Sequence, residues 1–169
     1  MIRGAMLLTP KGLLFAGRRL PCTHGRGGIR KDKREGDLAT PSGLHRITGL
    51  LFRPDRIAAH TLPRWATPIR PGDLWCDDPQ SPAYNHLVRA PFAARHEVLR
   101  RADPLYDLVL TTDWNWPLAV PSAGSAIFIH TWRRPGAPTA GCLGLSRADL
   151  LWLAARIVPQ TALIIPPRA

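Results

Sequence analysis

Residues 127–142 read IFIHTWRRPGAPTAGC. The stretch opens on an apolar, β-branched run that ends in His130. It closes on Cys142, with a loop rich in proline and glycine between the two. A short, unbroken apolar run bounded by turn residues is the signature of a buried strand. Taken with the residues before it, SAIFIHTW (125–132) is the strongest strand signal in the chain. Gly141 directly precedes Cys142, and a residue without a Cβ permits a tight turn and close approach of another group. The stretch therefore predicts a strand that carries His130 rigidly and a turn that presents Cys142.

Working outward, SRADLLWLAARI (146–157) is the one clear helix. Ser146 is its N-cap and Asp149 sits three residues on, in the pattern of a capping box. Leu150, Leu151, Leu153, Ala154 and Ile157 make its apolar stripe, and Pro159 stops it. TALIIP (161–166) reads as a closing strand, and YDLVLTTDW (106–114) as another. In GLHRITGLLFRP (43–54), Leu44, Arg46 and Thr48 fall on one face and His45, Ile47 and Gly49 on the other. AMLLTP (5–10) and GLLFAGRRLPC (12–22) read as two strands of a hairpin with a Pro-Lys-Gly turn. GRGGIRKDKREGDLATPSG (25–43) reads as a surface loop. Residues 54–96, rich in Pro, Asp and Trp without periodicity, read as ordered loop with short elements capping a cleft. The sum is a mostly-β protein with one main helix, and 1–169 reads as a single domain.

Composition agrees. The chain has 169 residues, 45% of them hydrophobic, enough for a core without disulfide or metal staples. Its 18 prolines and 14 glycines, without a repeat, demand many turns and few long helices. The net charge of +11 suits an anionic partner, or is surface charge that keeps the protein in solution. No apolar run approaches the roughly 18 residues that span a bilayer. The N-terminal stretch has an early basic residue, Arg3, but Pro10-Lys11-Gly12 interrupts its apolar run and no small-x-small cleavage site follows, so it reads as hairpin rather than signal peptide.

Three cysteines, Cys22, Cys76 and Cys142, occur without a C-x-x-C pair. Cys22 and Cys76 are either a bridge in an oxidising compartment or two buried thiols. A zinc site of Cys22, His24 and Cys76 lacks paired ligand spacing, so no metal is expected. GRGGIR (25–30) has glycines and arginines but no Walker lysine or serine, which argues against nucleotide binding. Asp77-Asp78 before Pro79 is a turn device. The six tryptophans suit packing, with stacking on bases or glycans as the alternative. This leaves His130 and Cys142. An imidazole beside a thiol makes a nucleophile pair, and the N–H groups of Gly141 and Cys142 would form an oxyanion hole. A nearby helix N-terminus would lower the thiol's pKa. Spacing alone favours a core cysteine and a structurally satisfied strand histidine.

The ordered set GDLATPSGLHRI (36–47), WCDDP (75–79), LYDLVL (105–110), GSAIFIH (124–130) and TAGC (139–142) resembles the L,D-transpeptidase catalytic domain, the YkuD family, in its compact proteobacterial branch. The family's signature is an apolar strand ending in His, a loop, then [Ser/Thr]-His-Gly-Cys. The resemblance implies a YkuD-like β-sandwich whose main helix follows the catalytic Cys. It implies Cys142 as nucleophile, His130 as general base, Gly141 as the turn residue, and the Thr131 carbonyl as the group that orients the imidazole. The partners it implies are peptidoglycan stem peptides and carbapenem-type inhibitors, with no cofactor and no nucleic acid. Its place is the periplasm or cell envelope, reached by an export signal absent from this chain or by another route. We expect a monomer. Two residues depart from the pattern: Ala140 replaces the motif's second His, and Gly144 stands where Arg or Asn is common. Arg26, Arg30, Arg133 and Arg147 are the candidates to meet substrate carboxylates in their stead, with Trp132 and Thr139 beside them. The departures favour 1,3 cross-links (L-Ala to diaminopimelate) over 3,3. The rivals are an L,D-carboxypeptidase, a cysteine hydrolase of another amide, and a basic module that binds peptidoglycan or nucleic acid without chemistry.

Overall fold

A computed structural model describes residues 4–167; Arg3 therefore lies outside the described residues. Strand residues make up 35% and helical residues 7%, as the mostly-β reading requires. Three strands come first: β1 (Met6–Thr9), β2 (Gly12–Phe15) and β3 (Arg18–Leu20). They pair antiparallel in succession. The turn at 10–11 is the expected one. Residues 12–22 were expected as one strand, but a second turn at Ala16-Gly17 divides them. Both turn residues have positive φ (47° and 75°), the conformation whose twist suits a two-residue hairpin.

After β4 (Cys22–Thr23), the stretch expected as a surface loop is partly interior. It contains the parallel pair β5 (Ile29–Arg30) and β6 (Thr40–Pro41). Lys33, Ala39 and Thr40 are buried. Lys33 tolerates burial because its ammonium donates to Asp37 Oδ1 and to the Arg34 carbonyl, each at 2.6 Å. The long strand β7 (Gly43–Phe52) alternates as read, with His45 and Ile47 buried and Leu44 and Arg46 exposed. β8 (Thr67–Pro68) pairs with its far end.

Residues 54–96 are more ordered than their lack of periodicity suggested. β9 (Asp73–Cys76), β10 (Leu87–Arg89) and β11 (His96–Val98) form an antiparallel three-stranded sheet with β9 at its centre. At its edge Asp78 Oδ1 accepts from the Gln80 N–H at 3.0 Å, the turn role expected of the Asp-Asp pair. The remaining strands are β12 (Leu108–Thr112), β13 (Phe128–Thr131), β14 (Leu143–Leu145) and β15 (Ala162–Ile165). The main sheet has ten strands in the order β3-β2-β1-β15-β7-β12-β13-β14-β4, with β8 beside β7. The helix α1 spans Arg147–Ala154, and Ser146 caps it by accepting the Asp149 N–H at 3.0 Å.

Both faces of the main sheet are covered. On one, Leu108, Leu110 and Ile129 pack with Leu150, Leu153, Ala154 and Ile157. On the other, Val109 and Phe128 pack with Trp75, Leu99 and Tyr106. Alternation along β12 and β13 assigns each side chain to its face. On β13 it turns Phe128 and His130 away from α1.

Candidate active site

Strands β13 and β14 run parallel, with Ile129 opposite Leu143 and His130 opposite Gly144. Residues 132–142 make the crossover between them. This register lays Cys142 beside Phe128. The Cys142 thiol donates to the Ala126 carbonyl at 3.0 Å, and Sγ accepts from the Phe128 N–H at 3.4 Å. Two residues along the same strand, His130 is buried, and its Nδ1 lies 2.8 Å from the Thr131 carbonyl oxygen. A carbonyl only accepts, so Nδ1 carries the ring proton and Nε2 is the basic nitrogen.

His130 and Cys142 line one cavity of about 510 Å³. Gly141, Arg26, Trp132, Arg133 and Thr139 line it too. Arg30 and Arg147 do not. The Arg30 side chain turns back toward the Gly27 carbonyl, and Arg147 is tied to Asp107 at 2.7 Å on the helix side. Several lining residues were not singled out as site candidates from the sequence, among them Glu97, Arg101, Tyr106, Ala126 and Arg134. Tyr106 and Ala126 lay in stretches read as strands without being marked for the site, and Glu97 and Arg101 lay just beyond the aperiodic 54–96 stretch.

The turn at Cys142 is held from behind. Gly141 has φ of 140°, and a Cβ there would crowd the Ala39 carbonyl oxygen at 3.0 Å, so a side chain would be strained. The Gly141 carbonyl accepts from Thr40 Oγ1 at 2.7 Å, and that oxygen accepts from the Gly25 N–H at 2.8 Å. Thr139 Oγ1 donates to the Cys142 carbonyl at 2.6 Å and faces the Gly141 N–H at 3.2 Å. Of the two expected oxyanion donors, that of Gly141 thus has an internal partner. The other wall is set by Asn85. Its Oδ1 accepts from the Ala126 N–H and from Trp75 Nε1, both at 2.9 Å. Its Nδ2 donates to the Trp114 and Asn115 carbonyls. Ala126 itself has a positive φ of 51°, and it supplies the carbonyl that holds the thiol.

Electrostatics favour a neutral resting pair. Burial pushes the Cys142 thiol up to about 12, and the Glu97 carboxylate adds to the rise. Burial lowers His130 to about 4. The helix was expected to lower the thiol's pKa. It does not reach it, because β14 stands between Cys142 and the first turn of α1, and the dipole's influence fades within a turn. Tyr106 and His130 meet in a T-shaped pair, centroids 5.2 Å apart.

The model of the YkuD family, the L,D-transpeptidase catalytic domain, matches residues 7–165. The chain belongs to this family. Members are cysteine-dependent L,D-transpeptidases of peptidoglycan. No curated protein and no solved structure gives a match. Against the YkuD pattern, Gly144 has a local reason. A Cβ there would lie 2.6 Å from Thr23 Oγ1 and 3.2 Å from Trp132 Cβ, so this transpeptidase fold has no room for Arg or Asn at that position. Ala140 lines the cavity where the motif's second His would stand.

Among the described residues no group of His, Cys, Asp and Glu could hold a metal. All three cysteines are free thiols: Cys22 is half-buried on β4, and Cys76 is buried on β9 of the other sheet. No helix among the described residues is long and apolar enough to cross a membrane. Trp75 stacks edge-on with Phe128, and Trp152 packs on Phe15, so these two tryptophans serve the core. Trp132 alone among the six lines the cavity.

Proposed function

We propose that the chain is one catalytic domain, residues 1–169, acting in the cell envelope as a peptidoglycan L,D-transpeptidase through a Cys142 thioester. The observation that carries this reading is the shared cavity of Cys142 and His130, with the imidazole fixed so that Nε2 is its base. The donor is a stem tetrapeptide. His130 Nε2 takes the thiol proton as Sγ attacks the carbonyl, and passes it to the departing D-Ala amine. The Cys142 N–H stabilises the oxyanion, a donor typically worth about 3 kcal/mol. Gly141 shapes the turn. The Thr131 carbonyl orients His130. Arg26, Arg133, Trp132 and Thr139 meet the donor from the cavity wall. An amine acceptor then resolves the thioester. We favour 1,3 cross-links over 3,3, because the departures at Ala140 and Gly144 remove two side chains from the family's site. The periplasm is the compartment this chemistry requires, and a monomer suffices for it.

The test is intact-protein mass spectrometry after incubation with a carbapenem, on the wild type and on Cys142→Ala. The expected outcome is a single adduct that the substitution abolishes, with cross-linking activity falling by at least about 10³-fold. Digested sacculi from cells expressing the protein then show 1,3 or 3,3 linkages. Full activity in Cys142→Ala would replace the reading with a non-catalytic binding module.

A further inference from the structure

The cavity is lined by four arginines, Arg26, Arg101, Arg133 and Arg134, and by one carboxylate, Glu97. Glu97 lies on β11 opposite Trp75 of β9. Its Oε2 accepts from the Tyr106 hydroxyl at 2.5 Å. The neighbouring cation is committed elsewhere: Arg101 makes two hydrogen bonds to Asp103 and lays its guanidinium over the Tyr106 ring at 5.4 Å. Among the described residues no Lys or Arg forms an ion pair with Glu97, and its Oε1 has no protein partner. Desolvation of this carboxylate is thus only partly offset, which is a cost the fold bears beside its nucleophile.

That placement opposes the first half of the reaction. The Glu97 charge is the second cause, after burial, of the high thiol pKa at Cys142. A catalyst that only formed and hydrolysed a thioester would gain nothing from it. Once the sulfur is acylated it is neutral, and the repulsion disappears. The species that must enter next is an amine, which at neutral pH arrives as an ammonium ion and cannot attack until it loses a proton.

Resting on the thioester reading above, we propose that Glu97 is the acceptor site, binding the incoming primary ammonium and taking one proton from it. The step balances. The ammonium gives one proton to the Glu97 carboxylate, and the freed lone pair forms the C–N bond to the acyl carbon. The C–S bond breaks and the electron pair returns to Cys142 Sγ. The second amine proton passes through His130 to that sulfur, and the proton on Glu97 leaves to solvent. The ligand class is a primary amine on a carbon that also bears a carboxylate, since Arg134, the lining arginine not assigned to the donor or to Asp103, offers that carboxylate a partner.

The test compares wild type, Glu97→Gln and Glu97→Asp, each given a stem tetrapeptide donor and one of two acceptors. One acceptor is glycine, a cationic amine. The other is hydroxylamine, which is largely uncharged at neutral pH. Intact-mass detection of the Cys142 acyl-enzyme checks that each protein folds and reacts. In Glu97→Gln the ratio of glycine adduct to hydroxamate is expected to fall by about tenfold to a hundredfold, the worth of one charge-assisted hydrogen bond. Glu97→Asp, which keeps the charge, is expected to restore part of that ratio. An unchanged ratio in Glu97→Gln, or equal loss with both acceptors, would overturn the assignment while leaving the thioester in place. Absence of any acyl-enzyme in the wild type would overturn the transpeptidase reading itself.

Discussion

At Cys142 the thiol hydrogen points at a backbone carbonyl, that of Ala126, in the resting protein. The neutral forms of Cys142 and His130 coexist across the whole range between about 4 and about 12. A thiolate–imidazolium pair formed in advance would need the opposite shifts, with the thiol lowered and the imidazole raised. This has a direct kinetic consequence. Below the thiol's pKa, the thiolate fraction rises tenfold with each pH unit. Alkylation of Cys142 by iodoacetamide, followed by peptide-resolved mass spectrometry, is therefore expected to accelerate about tenfold per unit from pH 7 to pH 9. A rate already level between pH 6 and pH 8 would show a preformed thiolate. Peptide resolution matters because burial pushes Cys22 to about 12 as well. Under the proposed mechanism, deprotonation at neutral pH thus belongs to the attack itself, when substrate is in place and Nε2 of His130 can accept the proton.

At the level of elements, the decisive one is not regular. The segment 123–127 carries the carbonyl that holds the thiol, and it is fixed from below by the loop around Asn85. Asn85 is 2% exposed and spends all its hydrogen-bonding capacity on Trp75, Ala126, Trp114 and Asn115. A second tie comes from Glu35, whose Oε2 accepts from the Tyr84 hydroxyl and from Ser125 Oγ. Asn85→Ala strands several buried polar groups, each worth roughly 1–3 kcal/mol when unsatisfied. A loss of about 3 kcal/mol in denaturant unfolding is expected, together with at least about tenfold slower carbapenem acylation at Cys142. Lost stability with unchanged acylation would reduce Asn85 to scaffold. The helix α1 plays a different part: it covers the far face of the sheet and never reaches the cavity.

Across the whole molecule, the last strand is a central one. β15 lies between β1 and β7, parallel to the first and antiparallel to the second, so it joins the N-terminal strands to the rest of the sheet. Leu163 and Ile165 are 1% and 0% exposed. Truncating both to Ala would cost roughly 4–10 kcal/mol, which is comparable to the 5–15 kcal/mol net stability of a typical domain. A chain ending at Gln160 is therefore expected to show no cooperative thermal transition in circular dichroism. Folding that survives this truncation would mean that the sheet closes without its linking strand.

The local rules were legible in the amino-acid sequence. Alternation placed the faces of β7, the Ser146 cap placed α1, and the apolar run into His130 placed β13, because each depends on neighbours within one element. The resemblance carried by GSAIFIH and TAGC named the right family. Local rules failed where backbone met backbone from afar. The 25–43 stretch is polar and glycine-rich, yet its residue Thr40 braces the Cys142 turn. Arg30 and Arg147 shared the chemistry of Arg26 and Arg133 but not their place, since a charge pattern does not state which side of a sheet it will face. Glu97 and Asn85 came from aperiodic sequence with no motif to mark them, and Tyr106 was read as a strand residue with nothing to place it at the site. The chain itself determined which residues could do the chemistry. Only the parallel crossing of β13 and β14, and the small sheet packed against them, decided which were gathered around the sulfur, because those contacts join residues far apart in sequence.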